Sequence, residues 1–260
     1  MNGTEEPISW QEFNRWNPPY REFILGHGIL ASRGTAMLFG KEGSYKTMLG
    51  LRLATCVAEG KEWLGFNTPE RGANVLYINA EVPADMIHAR VRQINSSVEL
   101  RGKLYIWNRY DFRIDQDVWF EKLAEVIDRY KINLIVLDPL YKIVSGDMVE
   151  PVVVENFQRV VDKLVNTHHV AVFTVSHARK GNKDDPAMAN DDMYGRGRWL
   201  WWADTVIRVE KEEEENEIRV SFGKHRYSKS SIKPVRFRLE AEELNFVQSI
   251  VNLPQPKVQG

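Results

Sequence analysis

The sequence of 260 residues contains little cysteine, no long apolar run and almost no net charge. Cys56 is its only cysteine, so an internal disulfide is excluded, and we expect a small core residue in a reducing compartment. No stretch has the apolar length needed to span a bilayer. The first residues are polar and acidic, unlike a signal peptide. We therefore expect a cytoplasmic protein with no membrane partner.

The balance of charge excludes a globally basic nucleic-acid-binding protein. Lys and Arg together number 35 and Asp and Glu 36, for a formal net charge of -1. Contact with nucleic acid must therefore be local, or shared among the subunits of an oligomer. The length suits one large α/β domain. We predict this domain at residues 31–253, after an aromatic-rich N-terminal arm at 1–30 and before a flexible tail at 254–260. The arm should dock on its own domain or on a neighbouring subunit.

Residues 34–53 predict a short apolar strand, a Gly-rich turn and then a helix. Successive backbone N–H groups in such a turn, with the positive end of the helix, favour a bound anion. Lys46 would add positive charge for the terminal phosphates of ATP, and Thr47 a hydroxyl ligand for a phosphate-bound Mg²⁺. The alternative is a chance Gly-rich turn before a helix. The predicted nucleotide-binding residues are Gly40, Lys41, Glu42, Gly43, Ser44, Tyr45, Lys46, Thr47 and Met48.

One position departs from the usual pattern of this loop, which is Gly, four residues, Gly-Lys, then Ser or Thr. Tyr45 stands where the second Gly is usual, whereas Gly40 and Gly43 are kept. A Tyr is acceptable there only if the backbone is not forced to positive φ. We therefore expect Tyr45 to lie just inside the start of the helix, where a positive φ is not required.

Three further apolar strands are predicted, and each is followed by polar residues at its end. They cover residues 73–80, 132–138 and 170–175. In open α/β sheets the ligand lies beyond the carboxyl ends of the strands, so these polar residues should face the nucleotide. We predict that Glu81 is the general base for the attacking water. Asp138 is predicted to belong to the Mg²⁺ shell, and His177, with Ser176, to sense the γ-phosphate.

Each of these residues has a structural alternative. Glu81 could be an acid near the N-cap of the next helix. Asp138 could simply end its strand in a turn before Pro139. His177 could be a structural histidine.

The sequence from residue 180 onward predicts a loop and two hairpins. Residues 180–198 lack apolar periodicity and predict a mobile loop, which is either solvated or in contact with nucleic acid or a neighbouring subunit. Trp199, Trp201 and Trp202 follow this loop. We expect them to be buried in the core or in subunit packing rather than to form a stacking platform for bases. Residues 205–209 and 217–222 predict antiparallel strands around an acidic turn. A second hairpin is predicted from residues 234–239 and 244–251.

These motifs together resemble the RecA-like core, in particular the RepA-type hexameric replicative helicases of plasmids and phages. The resemblance extends from about residue 20 to 240 and rests on motif order. The order is Gly-Lys-Glu-Gly-Ser-Tyr-Lys-Thr, Leu-Tyr-Ile-Asn-Ala-Glu, Leu-Ile-Val-Leu-Asp-Pro-Leu, Val-Ser-His-Ala-Arg-Lys-Gly, and Gly-Arg-Gly-Arg before Trp-Ala-Asp. The resemblance implies an α/β P-loop NTPase fold, with a mostly parallel twisted sheet flanked by helices and C-terminal antiparallel hairpins.

The resemblance also assigns roles to single residues. Lys46 and Thr47 would bind phosphates and Mg²⁺, and Glu81, Asp138 and His177 match the catalytic glutamate, the magnesium-shell aspartate and the sensor. Lys224 and Arg226 look like hairpin residues that reach across an interface to a neighbour's γ-phosphate. The alternative for this pair is ordinary basic residues at a surface.

The function implied by the resemblance is ATP hydrolysis by a motor that translocates on single-stranded DNA as a replicative helicase. Its subunits would form a homo-oligomeric ring, expected to be a hexamer, or a filament. Two alternatives stay open. The first is a recombinase or repair accessory ATPase that forms filaments on DNA, and the second is a regulatory P-loop ATPase that binds protein and no nucleic acid.

Overall fold

The computed structural model describes residues 7–18, 20–95, 100–177, 198–228 and 230–249, and no side chain for Leu200. Almost all of the predicted loop at 180–198, the whole predicted tail at 254–260 and the first six residues of the predicted arm lie outside these ranges. Within the described ranges, no helix is both long and apolar enough to cross a membrane.

Most of the described strands belong to one large sheet. The strands are β1 (Phe23–Leu25), β2 (Leu30–Ala31), β3 (Thr35–Gly40), β4 (Val75–Asn79), β5 (Leu104–Asn108), β6 (Leu134–Asp138), β7 (Ala171–His177), β8 (Thr205–Lys211), β9 (Glu217–His225), β10 (Val235–Glu240) and β11 (Asn245–Gln248). The large sheet has nine strands in the order β11-β10-β9-β8-β3-β7-β6-β4-β5, and β1 and β2 form a separate pair.

The large sheet is parallel at its centre and antiparallel at one side. The six strands from β8 to β5 in the sheet order run parallel. β9, β10 and β11 extend the sheet as antiparallel strands. Every residue of β3, β4 and β6 is buried, as expected for parallel strands covered on both faces. The predicted mostly parallel sheet with C-terminal antiparallel strands is confirmed.

Helices lie on both faces of the sheet. The described helices are α1 (Trp10–Arg15), which buries no residue, α2 (Lys46–Glu59), α3 (Ala84–Ile94), α4 (Asp117–Tyr130), α5 (Leu140–Ile143), α6 (Pro151–Thr167) and α7 (Arg198–Trp202). Side chains alternate between the faces along each strand. On β3, Leu38 belongs to the core cluster that includes Leu49 of α2, whereas Met37 belongs to the cluster that includes Phe157 of α6. The sheet therefore has a helix layer and a core on each side.

Helix α2 ends where the sequence predicts. Gly60 has a φ of 71° and its N–H donates to the carbonyl of Cys56. A Cβ at this position would lie 2.5 Å from the carbonyl oxygen of Glu70. Only glycine therefore fits this C-cap.

The predicted N-terminal arm has two different parts. Helix α1 buries none of its residues, and Trp10 and Phe13 are 69% and 46% exposed. In contrast, Leu25 of β1 and Leu30 of β2 are fully buried in the main core. The segment from β1 to β2 thus packs on its own domain, whereas α1 presents aromatic side chains to solvent.

Candidate active site

The turn between β3 and α2 has a backbone that requires glycine at two places. At Gly40, a Cβ would lie 2.3 Å from the carbonyl oxygen of Val209 and 2.8 Å from Oγ of Ser44. Gly43 has a φ of 78°, in the left-handed region that glycine occupies without strain. The loop thus connects strand β3 directly to helix α2, as the sequence predicts.

The expectation for Tyr45 is wrong. Tyr45 is the N-cap of α2 and has a φ of 59° and a ψ of 22°, in the left-handed region. A bulky residue in this region is strained by about 1–3 kcal/mol unless its surroundings fix it there. The Tyr45 hydroxyl donates a hydrogen bond of 2.9 Å to Oδ1 of Asn216, in the turn between β8 and β9. Its ring also packs against the core. These long-range contacts hold the residue in the conformation that a glycine would adopt.

Lys46 is a buried cation inside the loop. Its ammonium group donates to the carbonyl oxygen of Lys41 at 2.6 Å, and Oγ of Ser44 donates to the same oxygen at 2.7 Å. Burial lowers the pKa of Lys46 to about 8. A low-polarity environment disfavours the charged amine, so an anion bound beside it would stabilise the ammonium form. Lys41 and Glu42 lie at the exposed rim of the loop, and Met48 lies in the first turn of α2.

Asp138 ends β6 and is buried beside Thr47. The Tyr77 hydroxyl donates to Oδ2 of Asp138, and the Thr47 side chain is also hydrogen-bonded to this carboxylate. Burial raises the pKa of Asp138 to about 6. A hydroxyl and a carboxylate in contact are the oxygen ligands that Mg²⁺ uses in phosphate-binding sites. The residues present therefore fit Mg²⁺, which Thr47 and Asp138 would hold.

Glu81 and His177 line one cavity of about 510 Å³ at the carboxyl ends of the strands. Oε1 of Glu81 accepts a hydrogen bond from the Tyr141 hydroxyl. The residue at the N-cap of α3 is Pro83, so Glu81 does not cap this helix. The cavity is also lined by Glu42, Tyr141, Gly146, Asp147 and Met148.

His177 lies beside the loop, at the end of β7. It is paired in register with Gly40, and its ring meets the ring of Tyr141 edge-on, with 5.3 Å between the centroids. Burial lowers the pKa of His177, and the nearby Lys46 lowers it further. The neutral imidazole is thus favoured next to the loop.

Lys224 and Arg226 are not brought to this site. Lys224 is paired with Val206, near the beginning of β8, and its ammonium group donates to the carbonyl of Trp201 at 2.6 Å. The Arg226 guanidinium lies 3.0 Å from Asp204. Val209 of β8 is level with Gly40, at the beginning of the loop. At about 3.3 Å per residue, Lys224, opposite Val206, lies about 10 Å from the loop along the strand, and Arg226, beside Asp204, lies about 16 Å from it, toward the amino end of the parallel strands.

Tyr77, Tyr141 and Asn216 were not predicted as site residues. Tyr77 lies within an apolar strand, and nothing in the sequence except its hydroxyl indicates a role in the site. Tyr141 lies three residues after Asp138, where nothing in the local pattern indicates a contact with Glu81. Asn216 follows an acidic run that predicts only a solvated turn.

The loop after β3 and the polar residues at the ends of neighbouring parallel strands define a RecA-like P-loop ATPase core. A family model described as AAA domain matches residues 4–183. The chain belongs to this family.

Solved structures that share the fold include the following two. One is a DnaB-like replicative helicase, from a study that includes its interactions with primase; the TM-score is 0.63 at 13% identity, over 83% of this chain and 57% of that chain. The present chain thus spans little more than half of that helicase. The other is the flagellar accessory protein FlaH from Methanocaldococcus jannaschii, with a TM-score of 0.56 at 14% identity, over 84% of this chain and 90% of that chain. No curated protein sequence matches the chain.

The left-handed backbone of Tyr45 predicts that a Gly variant is more stable than an Ala variant at this position, which is the reverse of the usual order in a helix. We expect Tyr45→Gly to have a free energy of unfolding about 1 kcal/mol higher than Tyr45→Ala, because only glycine is unstrained at this φ. Urea unfolding of both variants measures the difference. As a control, Glu125→Ala in the middle of α4 should be more stable than Glu125→Gly by about 1 kcal/mol. The same order at both positions would contradict the strained conformation.

The lowered pKa of Lys46 predicts that nucleotide affinity depends on pH. Its ammonium form binds phosphate, so the Kd for ATP should rise as the pH rises through about 8, approaching about tenfold per pH unit because one proton is linked to binding. Asp138, Glu42 and Glu81 face the ammonium and oppose its deprotonation. Titration with a fluorescent ATP analogue from pH 7 to above pH 9 measures this. Lys46→Arg keeps its charge and should bind more weakly but without this pH dependence; a wild-type Kd that does not change would refute the prediction.

Proposed function

We propose that this protein is an ATP-hydrolysing motor that translocates on single-stranded DNA as a replicative helicase of the RepA type, and that it acts as a ring of identical subunits. The observation that carries the proposal is the position of two sets of residues at opposite ends of one sheet. The loop and the acids lie at the carboxyl ends of the strands, and the cations Lys224 and Arg226 lie at the amino end.

The residues at the carboxyl ends support ATP hydrolysis within one subunit. Lys46 and the loop N–H groups would bind the β- and γ-phosphates. Mg²⁺ bound by Thr47 and Asp138 would neutralise charge on the phosphate oxygens. Glu81 would accept the proton of the attacking water. His177, next to Gly40, would contact the γ-phosphate and respond to its release.

The cations at the amino end support action across a subunit interface. Arg226 is half exposed and lies far from the loop of its own chain, so a γ-phosphate that it contacts would belong to a neighbour. Helix α1 supports oligomer formation as well, because in the described part of the chain none of its residues is buried and its aromatic side chains are exposed. Both features are consistent with a head-to-tail ring, which is expected to be a hexamer, or with a filament.

Support for a nucleic-acid partner comes from one of the three tryptophans after the predicted loop. Trp199 is fully buried, and Trp202 donates from Nε1 to Asp162. Trp201, in contrast, is 77% exposed and its carbonyl binds Lys224. An exposed indole suits stacking on a base of single-stranded DNA.

A second candidate function is a regulatory P-loop ATPase that binds no nucleic acid. One observation favours it: the match covers 90% of FlaH, a flagellar accessory protein, but 57% of the helicase chain. The two functions differ in salt-dependent binding to single strands, since a DNA-binding protein that neutralises phosphates loses affinity as salt rises.

The test is strand displacement on a forked DNA with ATP, and Glu81→Gln is the matched variant. We expect the wild-type protein to displace the strand, and Glu81→Gln to bind ATP normally but to lose at least about 100-fold in kcat, because the amide cannot accept the proton. Turnover and nucleotide binding are measured on the same preparations.

Three results would contradict parts of this proposal. Filaments on single strands without displacement would indicate a recombinase, and absence of single-strand binding at any salt concentration would indicate the regulatory ATPase. Normal turnover by Glu81→Gln would remove the general base.

Mixed oligomers test whether Arg226 acts on a neighbour. Arg226→Ala alone should lower kcat by about 10³-fold or more, as for other cations that stabilise phosphoryl transfer. In an equal mixture with Glu81→Gln, about a quarter of the sites in a ring would combine an intact Glu81 with a neighbour's intact Arg226. We therefore expect about a quarter of wild-type turnover. Failure of the mixture to regain turnover would place Arg226 outside the neighbour's site.

A further inference from the structure

Tyr141 connects the ends of two strands at the candidate active site. It lies on the one-turn helix α5, which follows β6 after Pro139. Its hydroxyl donates to Oε1 of Glu81, after β4, and its ring lies edge-on to His177, at the end of β7. One side chain therefore contacts both the predicted general base and the predicted sensor.

The burial of Tyr141 and the charge of Glu81 determine which of the two groups donates the hydrogen bond between them. Burial raises the pKa of its hydroxyl well above the usual range, and the bonded Glu81 raises it further. The phenol therefore keeps its proton and donates, and the carboxylate accepts. A carboxylate has two oxygens, so Oε2 of Glu81 is left for another partner.

Glu81 needs such a contact because its own backbone does not fix its side chain. It lies on a bend between β4 and α3, and its side chain is exposed. A long exposed side chain must lose rotamer freedom to hold one orientation. The backbone of Tyr141 belongs to α5, and its ring contacts His177 edge-on, so its hydroxyl offers the carboxylate a donor at a defined position.

We propose that Tyr141 is a positioning residue for ATP hydrolysis, which holds Glu81 through Oε1 so that Oε2 faces the attacking water. The inference rests on the proposed role of Glu81 as the general base. In the step concerned, the water oxygen forms a bond to the γ-phosphorus and the water gives a proton to Glu81. The bond from the γ-phosphorus to the bridging oxygen breaks, its electron pair stays with ADP, and ADP and phosphate are the products.

The test is Tyr141→Phe, which keeps the ring beside His177 and removes only the donor. We expect kcat to fall by about tenfold or more, because the general base is no longer held in one orientation. The KM for ATP and the Tm should stay within experimental error, because both side chains are exposed and water can replace the lost donor. The matched control is Tyr110→Phe, because the Tyr110 hydroxyl donates to the Val82 carbonyl at 3.3 Å, near the same strand end. Its kcat should equal that of the wild type.

The same substitution in a Glu81→Gln background separates positioning from other roles. If Tyr141 acts through the Glu81 carboxylate, Tyr141→Phe should change the residual turnover of Glu81→Gln less than twofold. An equal fall in both backgrounds would overturn the proposal, and so would an unchanged kcat, or a raised KM alone, in Tyr141→Phe. Turnover of Glu81→Gln alone tests the general base, so when that variant has lost turnover, these results overturn the positioning role alone.

Discussion

The burial of the Lys46 ammonium group is the constraint on which the rest of the site depends. A cation in this environment is stable only with oxygen partners, and the loop supplies the carbonyl of Lys41. The loop has this shape because Gly40 packs directly against Val209 and Gly43 turns in the left-handed region. The six parallel strands then bring Asp138, Glu81 and His177 to the same edge. The buried charge of Lys46, the shape of the loop and the order of the parallel strands therefore meet at one position, which is where we propose that the phosphates bind.

The sequence was sufficient where a structural signal is local. The apolar runs of β3, β4, β6 and β7 mark strands covered on both faces, and the polar residue after each run marks a ligand-facing end. These patterns predicted the positions of Asp138 and His177 without any knowledge of the sheet order. The acidic turn between β8 and β9 was also predicted, because two short apolar runs enclose a charged segment.

Contacts between distant side chains could not be predicted in this way. Tyr45 reaches Asn216 across 171 positions of the chain, and Tyr141 reaches Glu81 across 60. Neither contact leaves a periodic pattern, because each depends on which strands are neighbours and on the rotamers of single side chains. The same reason explains the wrong expectation for Tyr45: local backbone preference was overridden by a hydrogen bond and by packing that only the folded sheet supplies.

The hairpin of β8 and β9 touches the nucleotide loop at its turn, through Asn216, and carries Lys224 and Arg226 at its other end. β9 has nine residues, so the hairpin is about 30 Å long. In the proposed head-to-tail assembly, each hairpin would connect the ATP site of its own subunit to the ATP site of the neighbouring subunit. A displacement of Tyr45 in one subunit would then also move Lys224 and Arg226, which we propose to act on the neighbour, so that hydrolysis would proceed around the assembly in sequence.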